Sequence, residues 1–406
     1  MNDDDSTIGT RLRELRRWRR MTLAEVAGLA GISTSYLSMA ERGLRSLDRR
    51  SLISALATAL RVSETELTGG PHLGSDPLQS GPHAAIPALR EALQTSNLGS
   101  AAVDRARPLA EIACEVTSRI VPMRANADYA GAGALLPSVL DELHWHAAQD
   151  KDEASRRLAM ETLVEACVVA GLIVKDLGYL DLAHVAVLRA EAAADLLDDP
   201  VQRGKAGCLR IWAFPRERSW DRRLAVAESA AEDLEPHART PLSLHVLGML
   251  TLHAALGAAV VQRPDVVSHW LAEAGQIASR VPDDMAGNWQ FFSQSNVRLW
   301  SVAIAVERGE GGRAVLELAS GADPAKLTNA NRRAALYLDV GRGLARDQAT
   351  REEAVTWLQR AENTAPQWIR NYSPAREAVA FLLTRARATA GGRELRGMAA
   401  RMGVPH

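Results

Sequence analysis

The chain has 406 residues, 47% of them hydrophobic and 24% charged, with a formal net charge of −1, which is more than one core usually organises and ample apolar material for burial. No apolar run approaches the ~18 residues that a membrane span needs, and the opening MNDDDST is acidic where a signal peptide would be basic, so a cytoplasmic protein is expected. Cys114, Cys167 and Cys208 lie far apart in apolar helical stretches, without a second cysteine at metal-ligand spacing, and read as reduced, packed thiols with no metal centre.

Residues 22–43, TLAEVAGLAGISTSYLSMAERG, predict two short helices about one sharp turn. Gly31 can take the positive φ that a helix C-terminus needs, and Ser33 follows as an N-cap. Leu23, Val26, Ala27 and Ala30 share one face of the first helix, Leu37 and Ala40 one face of the second, and Ile32 plugs the angle between them. Left outward on the second helix are Thr34, Ser35, Ser38 and Met39, short or flexible groups that can approach base edges in a DNA groove.

Glu25, Ala27, Gly31, Ser33, Tyr36, Leu37, Ser38, Glu41 and Gly43 carry a resemblance to the lambda-repressor-like helix-turn-helix family, often called XRE, over residues 8–68. That resemblance implies a five-helix domain at 6–68 that binds double-stranded DNA. Its base contacts fall on Thr34, Ser35 and Met39, to which Ser38 is added from the outward face. Its phosphate contacts fall on Tyr36, Arg42 and Arg45, with Arg11 and Arg17 as additions from the first helix. Where the family often has Pro, this chain has Ser46 and Leu47. A fourth helix is expected at 48–60, capped by Asp48, and a fifth at 63–68, opened by Ser63. Residues 6–61 hold eleven arginines against four acids, a net of +7, which leaves about −8 on the rest of a chain of net −1. A basic module on an acidic body suits phosphate attraction better than a plain structural hairpin does.

Residues 69–87 contain four Gly and four Pro in nineteen positions and predict a flexible linker. From 88 to 406 the reading is all-α. The expected helix pairs are 156–177 with 179–197, 201–213 with 219–235, 241–261 with 263–280, 288–308 with 311–319, 329–346 with 350–364, and 374–389 with 391–402. An irregular helical stretch at 88–150 precedes them. Their spacing, and small residues such as Gly171, Gly178, Ala183, Gly248 and Gly257, resemble a degenerate tetratricopeptide α-solenoid. A looser all-helical bundle is the alternative.

A solenoid lines its concave side with the first helices of its pairs. On 288–300, Trp289, Phe292, Asn296 and Trp300 fall on one helical face, with Arg298 on the next; Asn331, Arg210, Trp212 and His253 extend the same surface. Ligand contact and inter-repeat core both remain open for this cluster. An XRE head before such repeats resembles the peptide-sensing regulators of Gram-positive bacteria, which implies a homodimer, a peptide or small-molecule effector in the groove, and DNA affinity that follows the effector. An adaptor whose repeats recruit a protein is the alternative. No cofactor and no catalytic activity are expected. The Gly-rich pieces 129–133 and 308–312 lack phosphate-loop spacing, and His144 and His146, two apart, point to different sides of a helix.

Overall fold

A computed structural model describes residues 7–72, 76–99, 102–213, 220–283, 287–386 and 392–405, and every regular element among them is helical. The parts of the expected linker and helices that fall on 73–75, 100–101, 219, 387–389 and 391 lie outside the described residues.

The N-terminal head comprises α1 (Ile8–Trp18), α2 (Leu23–Leu29), α3 (Thr34–Glu41), α4 (Arg50–Leu60) and α5 (Glu64–Thr68). Local caps set most of these boundaries. Thr22 and Glu25 form a reciprocal capping box on α2, Ser63 and Glu66 another on α5, and the Ser33 hydroxyl accepts the Tyr36 amide at 3.0 Å. Leu12, Val26, Leu37, Leu47, Leu56, Leu60 and Leu67 form the head's own core. The expected cap by Asp48 is not made. α4 starts two residues later, with Arg49 at its N-cap and no side-chain cap bond, because the Asp48 carboxylate is drawn to Arg342 and Arg346 of the body.

The described part of 69–87 is packed, which corrects the expectation of a free tether. Asp76 caps α6 (Pro77–Ser80), and a 3-10 turn, Gly81–Ala85, continues from it. Proline at the first helical positions has no amide to lose there, so these prolines start short helices instead of preventing them. Gln79 is fully buried and donates to the carbonyls of Arg370 at 3.1 Å and Met402 at 3.2 Å. His83 lies between the Tyr179 hydroxyl at 2.9 Å and Asn371 Oδ1 at 3.0 Å.

The body continues with α7 (Ile86–Thr95) and α8 (Leu109–Glu115), which runs through a π-helical turn into α9 (Val121–Ala125). Next come α10 (Tyr129–Gln149), α11 (Glu153–Asp176), α12 (Leu180–Leu197), α13 (Pro200–Ala213), α14 (Trp220–Leu234), α15 (Pro241–Val260) and α16 (Pro264–Ala278). The last set is α17 (Gln294–Arg308), α18 (Arg313–Ser320), α19 (Ala330–Ala345), α20 (Arg351–Thr364), α21 (Pro366–Ile369), α22 (Ser373–Ala386) and α23 (Arg393–Met402). Sequence neighbours pair, as in α11 with α12, α15 with α16 and α19 with α20. The first members α11, α13, α15, α17, α19 and α22 also pack in series as an inner wall. α15 stands in the middle of that wall. At 20 residues it is long and apolar enough to cross a membrane, which corrects the expectation that no apolar run approaches that length, and all but its first residues are buried within the protein.

Two expectations for the body change. The helix read at 288–308 begins only at Gln294, because Ser293 is its N-cap and Trp289–Phe291 form a 3-10 turn with Gln290 and Phe291 at φ 48° and 65°. Trp289 and Phe292 therefore do not share a helical face with Asn296 and Trp300. Of the cysteines, Cys167 and Cys208 are buried, and burial pushes the Cys167 thiol up to about 12, but Cys114 is exposed.

The inner wall does not border an open groove, because the first and last parts of the body meet across it. The Tyr129 hydroxyl donates to Asp176 at 2.8 Å and accepts from Asn331 at 3.0 Å. The Ala130 amide donates to Gln367 at 2.9 Å, and Arg124 to Gln290 at 2.9 Å.

Candidate functional site

The turn between α2 and α3 has the geometry its residues dictate. Gly31 sits at φ 68°, the Ile32 amide closes onto the Ala27 carbonyl at 3.0 Å, and Ser33 starts α3. Leu37 and Ala40 are buried against the head core, so the opposite face of α3 is turned out: Thr34 and Ser35 are exposed, and Ser38 and Met39 are half-buried. Arg17, Arg42 and Arg45 are exposed. Arg42 Nε donates to the Ser38 carbonyl at 3.2 Å, and the Arg45 guanidinium lies 5.9 Å from the Tyr36 ring. Tyr36 is half-buried and donates its hydroxyl to the Ser46 carbonyl at 3.3 Å, while burial raises the phenol pKa.

Arg11 is placed differently from these. Its guanidinium covers Gly69, where an added Cβ would lie 1.1 Å from Nη1, so it faces the junction with the body. Not all of the basic charge faces outward: Arg16 is bound to Glu41 at 2.5 Å and Arg50 to Glu307 at 2.8 Å. The arginines exposed beyond those singled out are Arg13, Arg19, Arg20 and Arg61.

The segment joining α3 to α4 is held by the body at several points, which sequence reading missed. Glu377 accepts the Leu47 amide at 3.2 Å, and Arg385 donates to the Leu44 carbonyl. Asp48 Oδ2 is 3.3 Å from Arg342 and 3.0 Å from Arg346. Glu307 accepts the Arg50 amide at 2.9 Å and is 3.0 Å from Arg342, whose Nη1 reaches Asp339 at 2.9 Å. Burial alone would raise the Asp48 pKa, but Arg346 and Arg342 hold it down at about 2. Burial and the nearby Asp48 charge push the Glu377 carboxyl up to about 8. These partners lie about 300 positions from the head, as with Asp48 and Arg342 at a separation of 294, so no local period marks them.

The ligand residues expected from sequence separate into four placements. Trp212 and Asn331 line a cavity of about 90 Å³ inside the inner wall, and His253 packs edge-to-face between Trp212, at 5.0 Å, and Trp300, at 5.4 Å. Burial and the charges of Arg332, Lys175 and Arg223 hold the His253 imidazole neutral, with its pKa near 3. Phe292 and Asn296 are fully buried packing groups, since Phe292 fills the space left by Gly248, where a Cβ would fall 1.9 Å from the ring. Trp289 is half-buried and donates to Glu165 at 3.0 Å. Arg210 and Arg298 are exposed, bonded to Glu191 at 3.1 Å and to the Gly321 carbonyl at 3.2 Å, and do not line the cavity. The residues that sequence reading missed there include Arg50, Arg124, Lys175, Arg332 and Trp368.

The head matches a known protein family, described as a helix-turn-helix domain, over residues 7–68. The chain is also similar to an uncharacterized HTH-type transcriptional regulator, RghRB, of Bacillus subtilis (strain 168), at 40% identity over 57 residues. That match covers 14% of this chain and 41% of the relative. No solved structure matches the chain. Residues 7–68 are a helix-turn-helix domain, mounted on a helical body that the family match does not reach.

Proposed function

We propose that the protein is a sequence-specific DNA-binding transcription regulator, a cytoplasmic homodimer without catalytic activity, whose tetratricopeptide-like body senses an effector. The observation that carries the DNA part is the outward face of α3. Thr34 and Ser35 stand exposed on a helix anchored by buried Leu37 and Ala40, with Arg17, Arg42 and Arg45 free to meet phosphates on either side. α3 enters the major groove, Thr34, Ser35, Ser38 and Met39 read base edges, and the arginines and Tyr36 fix the register. A +7 head on an acidic body favours the same approach to DNA.

The effector part is supported by the cavity in the inner wall. A space of about 90 Å³ suits a small molecule and is too small for an extended peptide.

Selection of bound sequences from random duplexes tests the reading, with a symmetric consensus as the expected result. Arg42→Ala should weaken binding to selected and random DNA alike and flatten the salt dependence by about one charge. Thr34→Ala and Met39→Ala should instead change which sequence is preferred. Equal losses on all sequences from these two would remove them as readers, and a chain that enriches no sequence at all would end the regulator reading.

A further inference from the structure

The walls of the inner cavity are unbalanced in charge and in hydrogen bonding. Arg50, Arg124, Lys175 and Arg332 face two acids, Asp176 and Asp339. Asp176 is already engaged by Lys175 at 2.5 Å and by the Tyr129 hydroxyl, and Asp339 by Arg342 at 2.9 Å. Arg50 is matched by Glu307. Arg124 and Arg332 form no ion pair among the described residues. Their guanidinium groups donate to one glutamine, Gln290, through Oε1 at 2.9 Å from Arg124 and the carbonyl at 3.5 Å from Arg332, and Arg332 also lies 5.6 Å from the Phe291 ring.

Both arginines are more than nine-tenths buried, and two unmatched cations out of water are costly without an anion between them. The cost is visible in Arg332, which burial and the charge of Arg124 lower to about 9.

The orphaned atoms point the same way. Arg124 Nε, Arg332 Nε, Trp300 Nε1 and Trp368 Nε1 are buried without a hydrogen-bond partner, and all four are donors on lining residues; no lining residue has an orphaned acceptor. Water, as donor and acceptor, would answer such a wall only in part, whereas an anion rich in acceptors answers all of it. A volume of about 90 Å³ corresponds to roughly three waters, enough for a compact oxyanion.

We propose that this cavity is a binding site for a small oxyanion, a carboxylate or phosphate group, held between Arg124 and Arg332, and that Arg50, on the same wall, reports its occupancy to the head. The second half rests on the effector-sensing reading above. Arg50 is the first residue of α4 and joins Glu307 and the Tyr372 hydroxyl at 2.9 Å, so an anion in the cavity competes directly for a guanidinium that ties head to body. An occupant that favours one docked geometry of the head over another shifts DNA affinity by that difference.

The test uses the full chain with two probes, inorganic phosphate and acetate, titrated by calorimetry and thermal shift against chloride at equal ionic strength. Saturable binding of at least one probe is expected, weakened about tenfold or more in Arg124→Gln and Arg332→Gln. The two probes separate a phosphate from a carboxylate site. If an arginine variant does not fold by circular dichroism, Trp300→Phe carries the comparison, since it removes one donor and keeps the ring; a loss of about threefold is expected. Binding of neither probe above chloride, or affinity unchanged in the folded variants, overturns the site. A probe that binds while affinity for the selected DNA stays fixed overturns the reporting role and the sensing reading but leaves the site standing. Selected DNA that is bound while neither probe is overturns the site alone.

Discussion

Replacing Asp48 by Asn tests what holds the head to the body. The Asp48 side chain is 4% exposed, and its Oδ2 lies 3.3 Å from Arg342 and 3.0 Å from Arg346. Two charges ~4 Å apart at an effective dielectric of ~20 attract by about 4 kcal/mol, so the two pairs give about 8 kcal/mol. Keeping the carboxylate out of water takes back several kcal/mol. The difference, about 3–5 kcal/mol, equals the usual cost of deleting one partner from a buried ion pair. Urea unfolding of the full chain should therefore show a loss of that size. Hydrogen exchange should quicken first at the Leu47 and Arg50 amides, which donate to Glu377 and Glu307 of the body. A cycle with Arg346→Met should return a coupling of at least ~1 kcal/mol, since one guanidinium then loses a partner already gone. A loss under about 1 kcal/mol, or additive single effects, would refute the claim that this cluster fixes the head.

Glu377 makes the same junction pH-dependent. Its folded pKa, near 8, stands above the usual carboxylate value, so the fold favours the protonated form. The associated stability is complete below the unfolded value of about 4.5 and is lost as pH rises through about 8. The stability of wild type relative to Glu377→Gln should accordingly fall between about pH 5 and about pH 9 in urea titrations; a difference that ignores pH would show that the carboxyl ionises freely. Gly31→Ala should cost about 1–2 kcal/mol by the same measurement, purely from the backbone, because φ is 68° and an added Cβ meets nothing within 4 Å. A neutral substitution there would mean that the turn takes another conformation.

The sequence was legible where function and fold are local. The α2 to α3 turn, the Ser33 and Ser63 caps and the starts of α12, α13, α15, α16 and α19 lie within three residues of expectation because each depends on residues near it in sequence and on one apolar period. The reading failed where a distant partner took over a local signal. Asp48 is a sound cap by composition, yet two arginines about 300 positions away claim it. The prolines of 69–87 were read as breakers, but Gln79 and His83 found partners on α21, α23 and the segments flanking them, which turned the stretch into a docked strap. Apolar periodicity through 288–300 was real but continued across a non-helical turn at Gln290, so Phe292 went into the gap at Gly248 and not onto a groove. The cationic cavity wall escaped notice because Arg50, Arg124, Lys175 and Arg332 come from four separate helices.

The mounting of the head bears on what kind of operator a dimer would read. A free tether over 69–87 would let each head find its half-site independently and would tolerate altered spacing. In the folded chain the segment between α3 and α4 is bound to the body through Leu44, Leu47, Asp48 and Arg50, within nine residues of the α3 C-terminus. The direction of α3 is then set by the body, and in a homodimer the distance between the two recognition helices is set by whatever joins the bodies. Inserting about 5 base pairs between the half-sites of a selected operator turns one of them to the opposite side of the duplex, and a rigidly mounted pair of heads should lose most of its affinity. Inserting about 10 restores the side but not the distance and should rescue binding only in part. Asp48→Asn, by loosening the mount, should lower affinity for the native spacing and make it less sensitive to the insertion. Equal affinity for all three spacings in the unaltered protein would place the heads on flexible arms, and the ion-pair cluster would then have no part in choosing DNA.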